Sequence, residues 1–232
     1  MAEGSYNQFC PVAMASEILC TRWTLLVLRE LIAGSTRFNA LRRGLPRMSP
    51  ALLSKRLKDL ETAGIITREA LPDEPGLFSY TLTEAGRELQ PVIVAIGVWG
   101  HRWIETGTSL ENLDPLLLMW DMRRNLDPRP MPRRRSVIQV IFNDLPPAQK
   151  NWWLIVEPPG DVDLCSTDPG FDVDLFLATD LRIMTEIWMG YTTLARAQEK
   201  DKLLITGNRA LAESLNAWLG LSRFAKIERR VA

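Results

Sequence analysis

Residues 37–69 read RFNALRRGLPRMSPALLSKRLKDLETAGIITRE. Two short helical patterns, separated by a few turn residues, run into a strand. In the second pattern Ser49 is a favoured N-cap, Pro50 suits the first helical position, and Gly64 suits the left-handed residue past the end. At about 100° per residue, Leu53, Leu57 and Leu60 fall on one side of this helix. Ala51, Lys55, Lys58 and Thr62 fall on the other, with Ser54 on the flank. The first pattern, about Arg37 to Arg43, turns Phe38 and Leu41 inward and is closed by Gly44. An outer stripe that is small, polar and basic fits a helix-turn-helix reader of duplex DNA. Ser49, Ala51 and Ser54 let the backbone approach base edges, Lys55 and Lys58 pair with phosphates, and Arg42 and Arg43 of the first helix grip the DNA backbone.

The charge of the chain makes this stretch stand out. Lys plus Arg equals Asp plus Glu at 28 each over 232 residues, so the molecule offers no net field to a polyanion. Between residues 35 and 61, however, seven basic residues (Arg37, Arg42, Arg43, Arg47, Lys55, Arg56, Lys58) face two acidic ones (Asp59, Glu61). A composition 46% hydrophobic and 24% charged supports a sizeable core and one large or two small domains. Three cysteines without CxxC spacing fit a reducing compartment and argue against structural zinc. No leader pattern and no apolar run of about 20 residues is present, so the expectation is a cytoplasmic protein that does not enter a membrane.

Upstream, VAMASEILCTRWTLLVLRELIAG sets Ile18, Leu19, Trp23, Leu26, Val27 and Leu31 at helical spacing, with Gly34 as a stop. Downstream, GIITREALPDEPGLFSYTLT is a hairpin: Ile65 and Ile66, a tip of Pro, Asp and Gly, then Phe78, Tyr80 and Leu82 alternating with Ser79 and Thr81. Helices followed by a hairpin make a winged helix. Its tip, LPDEPG, is acidic through Asp73 and Glu74 where a DNA-facing wing would carry Arg or Lys, which leaves Arg68 as the expected phosphate contact of the wing.

The segments CPVAMASEILCTRWTLLVLRELIAGSTRFNALRRGLPRMSPALLSKRLKDLETAGIITRE and YTLTEAGRELQPVIVAIGVWG resemble the HxlR family of bacterial winged-helix transcriptional regulators, relatives of the MarR type, over about residues 10–103. The Cys-Pro start, RWTLLVLREL, RFNALRR, SPALLSKRLKDLE and YTLTEAG coincide with the family pattern in order. Cys20 departs from it, since a glycine is usual there. The resemblance implies a homodimer in which the N-terminal segment and the helix after the wing interlock. It also implies that each recognition helix enters one major groove of a pseudo-palindromic operator. Some members of the family sense oxidants through a cysteine at the position of Cys10, which requires an accessible thiolate activated by nearby positive charge. The alternative for Cys10 is a small apolar residue packed in a dimer arm.

The pattern changes near residue 105. LENLDPLLLMWDMRRNLDPRPMPRRR reads as a connector with one short helix, and Arg133, Arg134 and Arg135 as a solvated run beside a strand start, with phosphate contact as the alternative. SVIQVIF, NWWLIVE, VDLCS and FDVDLFLAT then read as consecutive strands of a meander. Helices near Asp180–Met189 and Thr192–Gln198, a strand LLIT and a final helix over Ala210–Leu219 complete an α+β half. This half resembles a sterol-carrier-protein-type domain over about 136–226, which implies an apolar cavity for lipid-like molecules. Trp152, Trp153, Phe176, Met184, Trp188 and Trp218 are its candidate lining, with simple core as the alternative.

No enzymatic motif appears. The single histidine, His101, stands between Trp99 and Trp103, and no Ser/His/Asp set, paired histidines or phosphate loop is present. Asp161, Asp163, Asp168, Asp172 and Asp174 lack EF-hand spacing, and Asp172 and Asp174 read as one face of a half-exposed strand. No catalytic residue, cofactor or metal is expected.

The expected architecture is a mainly α winged helix-turn-helix domain (1–104), a connector (105–135) and an α+β domain with a mostly antiparallel sheet (136–232). The expected function is a dimeric, DNA-binding transcriptional regulator controlled by a hydrophobic small molecule in the C-terminal domain. Two alternatives stand beside it. One is a lipid-carrying or protein-interaction module whose winged helix no longer binds DNA, and the other is a thiol-based regulator acting through Cys10.

Overall fold

A computed structural model describes residues 5–231, and the chain divides between Gly97 and Val98 into two units. The first holds α1 (Pro11–Leu19), α2 (Thr24–Ile32), α3 (Phe38–Gly44), α4 (Pro50–Thr62), the hairpin β1 (Ile66–Ala70) and β2 (Phe78–Leu82), and α5 (Glu84–Glu88). The helix α6 (Gln90–Trp103) carries the chain into the second unit. Val27, Leu28, Leu41, Leu53, Leu57 and Leu60 are buried together here. Each such side chain contributes about 1.5–3 kcal/mol by leaving water.

The upstream helical pattern is broken in two, with α1 and α2 meeting at 83°. The break is at Trp23, held at φ +79°, a conformation that a bulky L-residue adopts at a cost. Its neighbour's carbonyl, that of Arg22, accepts a bond from Arg56 Nε of α4 at 3.0 Å, which ties the turn to that helix. As a consequence Ile18 and Leu26, expected inside by helical spacing, are exposed, and Leu28 takes the core position. In α4 the expected boundaries hold: Ser49 Oγ accepts from Leu52 N at 3.3 Å, Pro50 is the first residue, and Gly64 has φ +71°.

The second unit contains α7 (Thr106–Ser109), α8 (Pro115–Asn125), β3 (Ser136–Phe142), α9 (Pro147–Lys150), β4 (Asn151–Glu157), β5 (Asp161–Cys165) and β6 (Leu175–Thr179). It continues with α10 (Leu181–Trp188), α11 (Leu194–Glu199), β7 (Leu203–Gly207), α12 (Arg209–Glu213) and α13 (Leu215–Trp218). The strands form one sheet in the order β5-β4-β3-β6-β7. The meander holds only for β3, β4 and β5. Instead of continuing past β5, β6 returns to lie parallel to β3, so the sheet is mixed, with antiparallel pairings elsewhere. β3 thereby becomes the middle strand, apolar and nearly continuously buried.

Three local readings change with this topology. Residues 171–174 precede the strand, and Asp174 is not a solvated strand residue: its carboxylate accepts from Arg134 Nη2 at 2.7 Å and from Val137 N at 2.9 Å. Burial pushes this carboxyl up, but the Arg134 bond, the Val137 N–H and the Arg134 charge outweigh it and hold it below its usual value. Two residues of the arginine run are thus engaged with protein groups, Arg134 with Asp174 and Arg135 with Glu157, the latter also 4.1 Å from the Phe171 ring centroid, while Arg133 is exposed. Finally, α8 is no spacer. Leu118, Met119 and Met122, followed by Leu126 and Met131, belong to the buried core of the second unit.

Candidate nucleic-acid interface

Leu53, Leu57 and Leu60 fasten α4 to the first unit, and this leaves Ser49, Ala51, Ser54, Lys55 and Lys58 exposed along its outer side. Asp59 and Glu61 flank that stripe. The Asp59 carboxylate is taken up by Arg56 Nη1 at 2.7 Å, so one of the two flanking acids is paired within the helix. Arg56 itself is thereby committed to Asp59 and to the Arg22 carbonyl.

Arg42 and Arg43 are exposed at the end of α3. That end is pinned from below. Arg29 Nη2 donates to the Gly44 carbonyl at 2.8 Å and pairs with the fully buried Glu30 carboxylate at 2.8 Å. The turn between α3 and α4 is therefore fixed by α2, which sets the angle at which the two helices present their outer sides.

The wing is a regular antiparallel hairpin from Ile66↔Leu82 to Ala70↔Phe78. Arg68 is exposed on β1 with its guanidinium 3.5 Å from the Phe78 ring centroid. At the tip, Glu74 Oε1 pairs with Arg37 Nη1 at 2.8 Å. Neither this pair nor the commitments of Arg56 and Glu30 were part of the sequence reading. Thirty-seven positions separate Arg37 and Glu74, and only the hairpin register brings them together.

Elsewhere in the first unit, an open apolar groove of about 370 Å³ runs between α1 and the start of α6, lined by Val12, Ala15, Leu19, Val92 and Ile96. Phe9 is 99% exposed and Val12 73%. Cys10 is the half-buried N-cap residue of α1, and the backbone N–H groups of Ala13 and Val12 draw its thiol below the ordinary value.

The six aromatic and Met residues of the second half do not share one wall. Trp152, Met184, Trp188 and Trp218 lie in the core between the sheet and its helices. Trp153 and Phe176 both lie in register with Gln139 on the opposite face of the sheet. Consecutive strand residues alternate sides, so Trp152 and Trp153 are separated by the sheet itself. The indoles on the helix side are satisfied by protein acceptors: Trp152 by the Gln149 carbonyl at 2.8 Å, Trp188 by Asp121 Oδ2 at 2.9 Å, Trp218 by the Leu211 carbonyl at 2.9 Å. No single helix among the described residues is long and apolar enough to cross a membrane.

Residues 18–108 match the family of HxlR-like helix-turn-helix proteins. The chain is 43% identical over 99 residues to the HTH-type transcriptional regulator sll1512 of Synechocystis sp., an alignment that takes in 43% of this chain and 73% of that one. It is 37% identical over 100 residues to the HTH-type transcriptional regulator YvaP of Bacillus subtilis, covering 43% of this chain and 93% of that one. Among solved structures, the reduced form of the transcriptional regulator YodB from B. subtilis shares 34% identity, with a TM-score of 0.37, over 42% of this chain and 97% of YodB.

Proposed function

This chain belongs to the HxlR-like helix-turn-helix family of transcriptional regulators, and from that premise we propose that it works as a homodimer on a pseudo-palindromic DNA site, each α4 entering one major groove. The observation that carries the reading is the outer side of α4: capped, fastened by three buried leucines, and presenting Ser49, Ala51, Ser54, Lys55 and Lys58 to solvent. Arg42 and Arg43 add backbone grips from α3, and Arg68 a contact from the wing. The exposed apolar groove beside α1 and α6 supports a second copy of the chain as its cover, since a monomer rarely leaves such a surface in water.

In the second unit, a mixed sheet with an apolar core on its helix side supports the sterol-carrier-type reading. A hydrophobic effector bound there regulates the protein by favouring one separation of the two α4 helices, which requires different affinities for the two dimer arrangements. Trp152, Met184, Trp188 and Trp218 are the residues on that side. Trp153 and Phe176 stand outside this proposal.

Titration of a labelled duplex with the full chain tests the DNA reading. Replacing Lys55 and Lys58 together by Ala weakens binding and lowers the log–log salt slope by about two, close to one per lysine. An unchanged slope in the variant favours the alternative, a carrier or interaction module whose winged helix has lost DNA.

The helix-end position of Cys10 favours one second reading, a thiol switch. On that reading Cys10→Ser abolishes the response of duplex binding to oxidant. A response retained in the variant removes Cys10 from the mechanism.

A further inference from the structure

Glu74 stands in a turn closed by three backbone bonds: Leu71 N to Leu77 O at 3.0 Å, Glu74 N to Leu71 O at 3.3 Å, and Leu77 N to Glu74 O at 3.0 Å. Its carboxylate pairs with the guanidinium of Arg37, the residue that opens α3. The pair is held in place by its backbone. Tyr80 N donates to Thr36 O at 2.8 Å, and Arg37 forms an isolated bridge with Ser79, so the strand behind the tip is locked to the loop carrying Arg37. At 45% and 46% side-chain exposure, both partners remain within reach of an external ion.

Arg37 stands where the wing meets the first helix of the helix-turn-helix, two elements that flank a recognition helix and meet the DNA backbone. A carboxylate on a guanidinium there occupies the site a phosphate oxygen would take, with similar bidentate-capable chemistry. We infer that Glu74 is a built-in competitor of DNA: it fills the Arg37 phosphate site and withholds that arginine from a duplex bound by the parent chain. The inference rests on the DNA-binding reading and adds to it a contact that Glu74 masks. It also accounts for an acidic tip on a DNA-facing wing without assigning the wing a different partner.

The test is a titration of a random-sequence duplex with the full chain, comparing the parent with Glu74→Gln, Arg37→Ala and the double variant, all checked for unchanged circular dichroism. Glu74→Gln keeps the shape of the side chain and removes its charge. One added phosphate contact steepens the log–log salt slope by about 0.9, so its affinity advantage over the parent grows about 3.5-fold as salt falls from about 200 to 50 mM. Arg37→Ala has little effect on the parent, and it cancels the gain in the double variant. The inference is overturned if Glu74→Gln binds with the parent's slope, or more weakly. It is equally overturned if the gain survives in full without Arg37, because Glu74 then acts by direct repulsion. Failure of both parent and Glu74→Gln to bind duplex at the lowest salt overturns the DNA-binding reading and this inference together.

Discussion

Replacing Gly44 by alanine sets two physical effects of opposite sign against each other. Gly44 lies in the last turn of α3, and helix propensity alone makes alanine about 1 kcal/mol better there. The surroundings forbid it. A Cβ built on Gly44 would stand 1.9 Å from Glu30 Oε2 and 2.1 Å from Glu30 Cδ. Glu30 has no exposed surface into which to retreat, and its carboxylate is held by Arg29, which also donates to the Gly44 carbonyl. To admit the methyl group, Glu30 must leave Arg29 or α3 must move off α2. Overpacking costs about 1–3 kcal/mol. Breaking a buried ion pair costs about 3–5 kcal/mol, a figure reduced here because Arg29 is partly in water. After the propensity gain, the net loss is about 2–3 kcal/mol. Urea unfolding followed by far-ultraviolet circular dichroism should show the first unit's transition moving to lower urea by about 1–2 M, given slopes of 1–3 kcal/mol per molar. Glu30→Ala combined with Gly44→Ala should be more stable than the sum of the two single losses allows, since the obstacle is gone. A Gly44→Ala chain as stable as the parent, or more so, would mean that Glu30 makes room for the methyl group without cost.

Other perturbations probe the second unit. His101 is buried and stacked on Tyr191 with ring centroids 5.5 Å apart, and its imidazole is held below its usual 6.5 by burial first and then by the Arg229 charge, against a bond that it donates to the Ile227 backbone. The unfolded chain therefore takes up a proton at a pH where the folded one does not. Stability is full above about pH 6.5 and is lost as pH falls through the window between 6.5 and the folded value. Urea midpoints measured across that window should decline in the parent more steeply than in His101→Gln; parallel curves would contradict the assignment. Trp218 is fully buried and donates to the Leu211 carbonyl at 2.9 Å, so Trp218→Ala should cost the second unit about 3–5 kcal/mol. Trp218→Phe should cost less, chiefly through the lost indole bond, since Ser214 Oγ still reaches the Leu211 carbonyl at 3.4 Å, and a loss under about 1 kcal/mol for the alanine variant would place this residue outside the core.

Local chemistry made α4 legible: a cap, a proline, three leucines and a closing glycine all act within one or two turns. The hairpin was equally readable, because its alternation and its tip are both short-range. The α1–α2 break was not, since no local signal favours a left-handed tryptophan and the bond that stabilises the turn comes from Arg56 in a later helix. The parallel return of β6 to β3 depends on a crossover that strand patterns do not encode. By contrast, the separation of Trp152 from Trp153 was available from strand periodicity, which puts adjacent residues on opposite faces. Among the interface residues, the basic stripe was visible as composition. The loss of Arg56 to Asp59 and Arg22, and of Arg37 to Glu74, was visible only in three dimensions.

Selection of bound duplexes from a random pool by the full chain, followed by footprinting of the enriched sequence, reads out directly whether two α4 helices recognise paired half-sites. The expected result is a pseudo-palindrome with two protected half-sites centred about 10–10.5 base pairs apart, or a multiple of that spacing, and loss of protection on replacing Lys55 and Lys58 by Ala. A pool that fails to enrich, or a footprint that the lysine replacements leave intact, would contradict it.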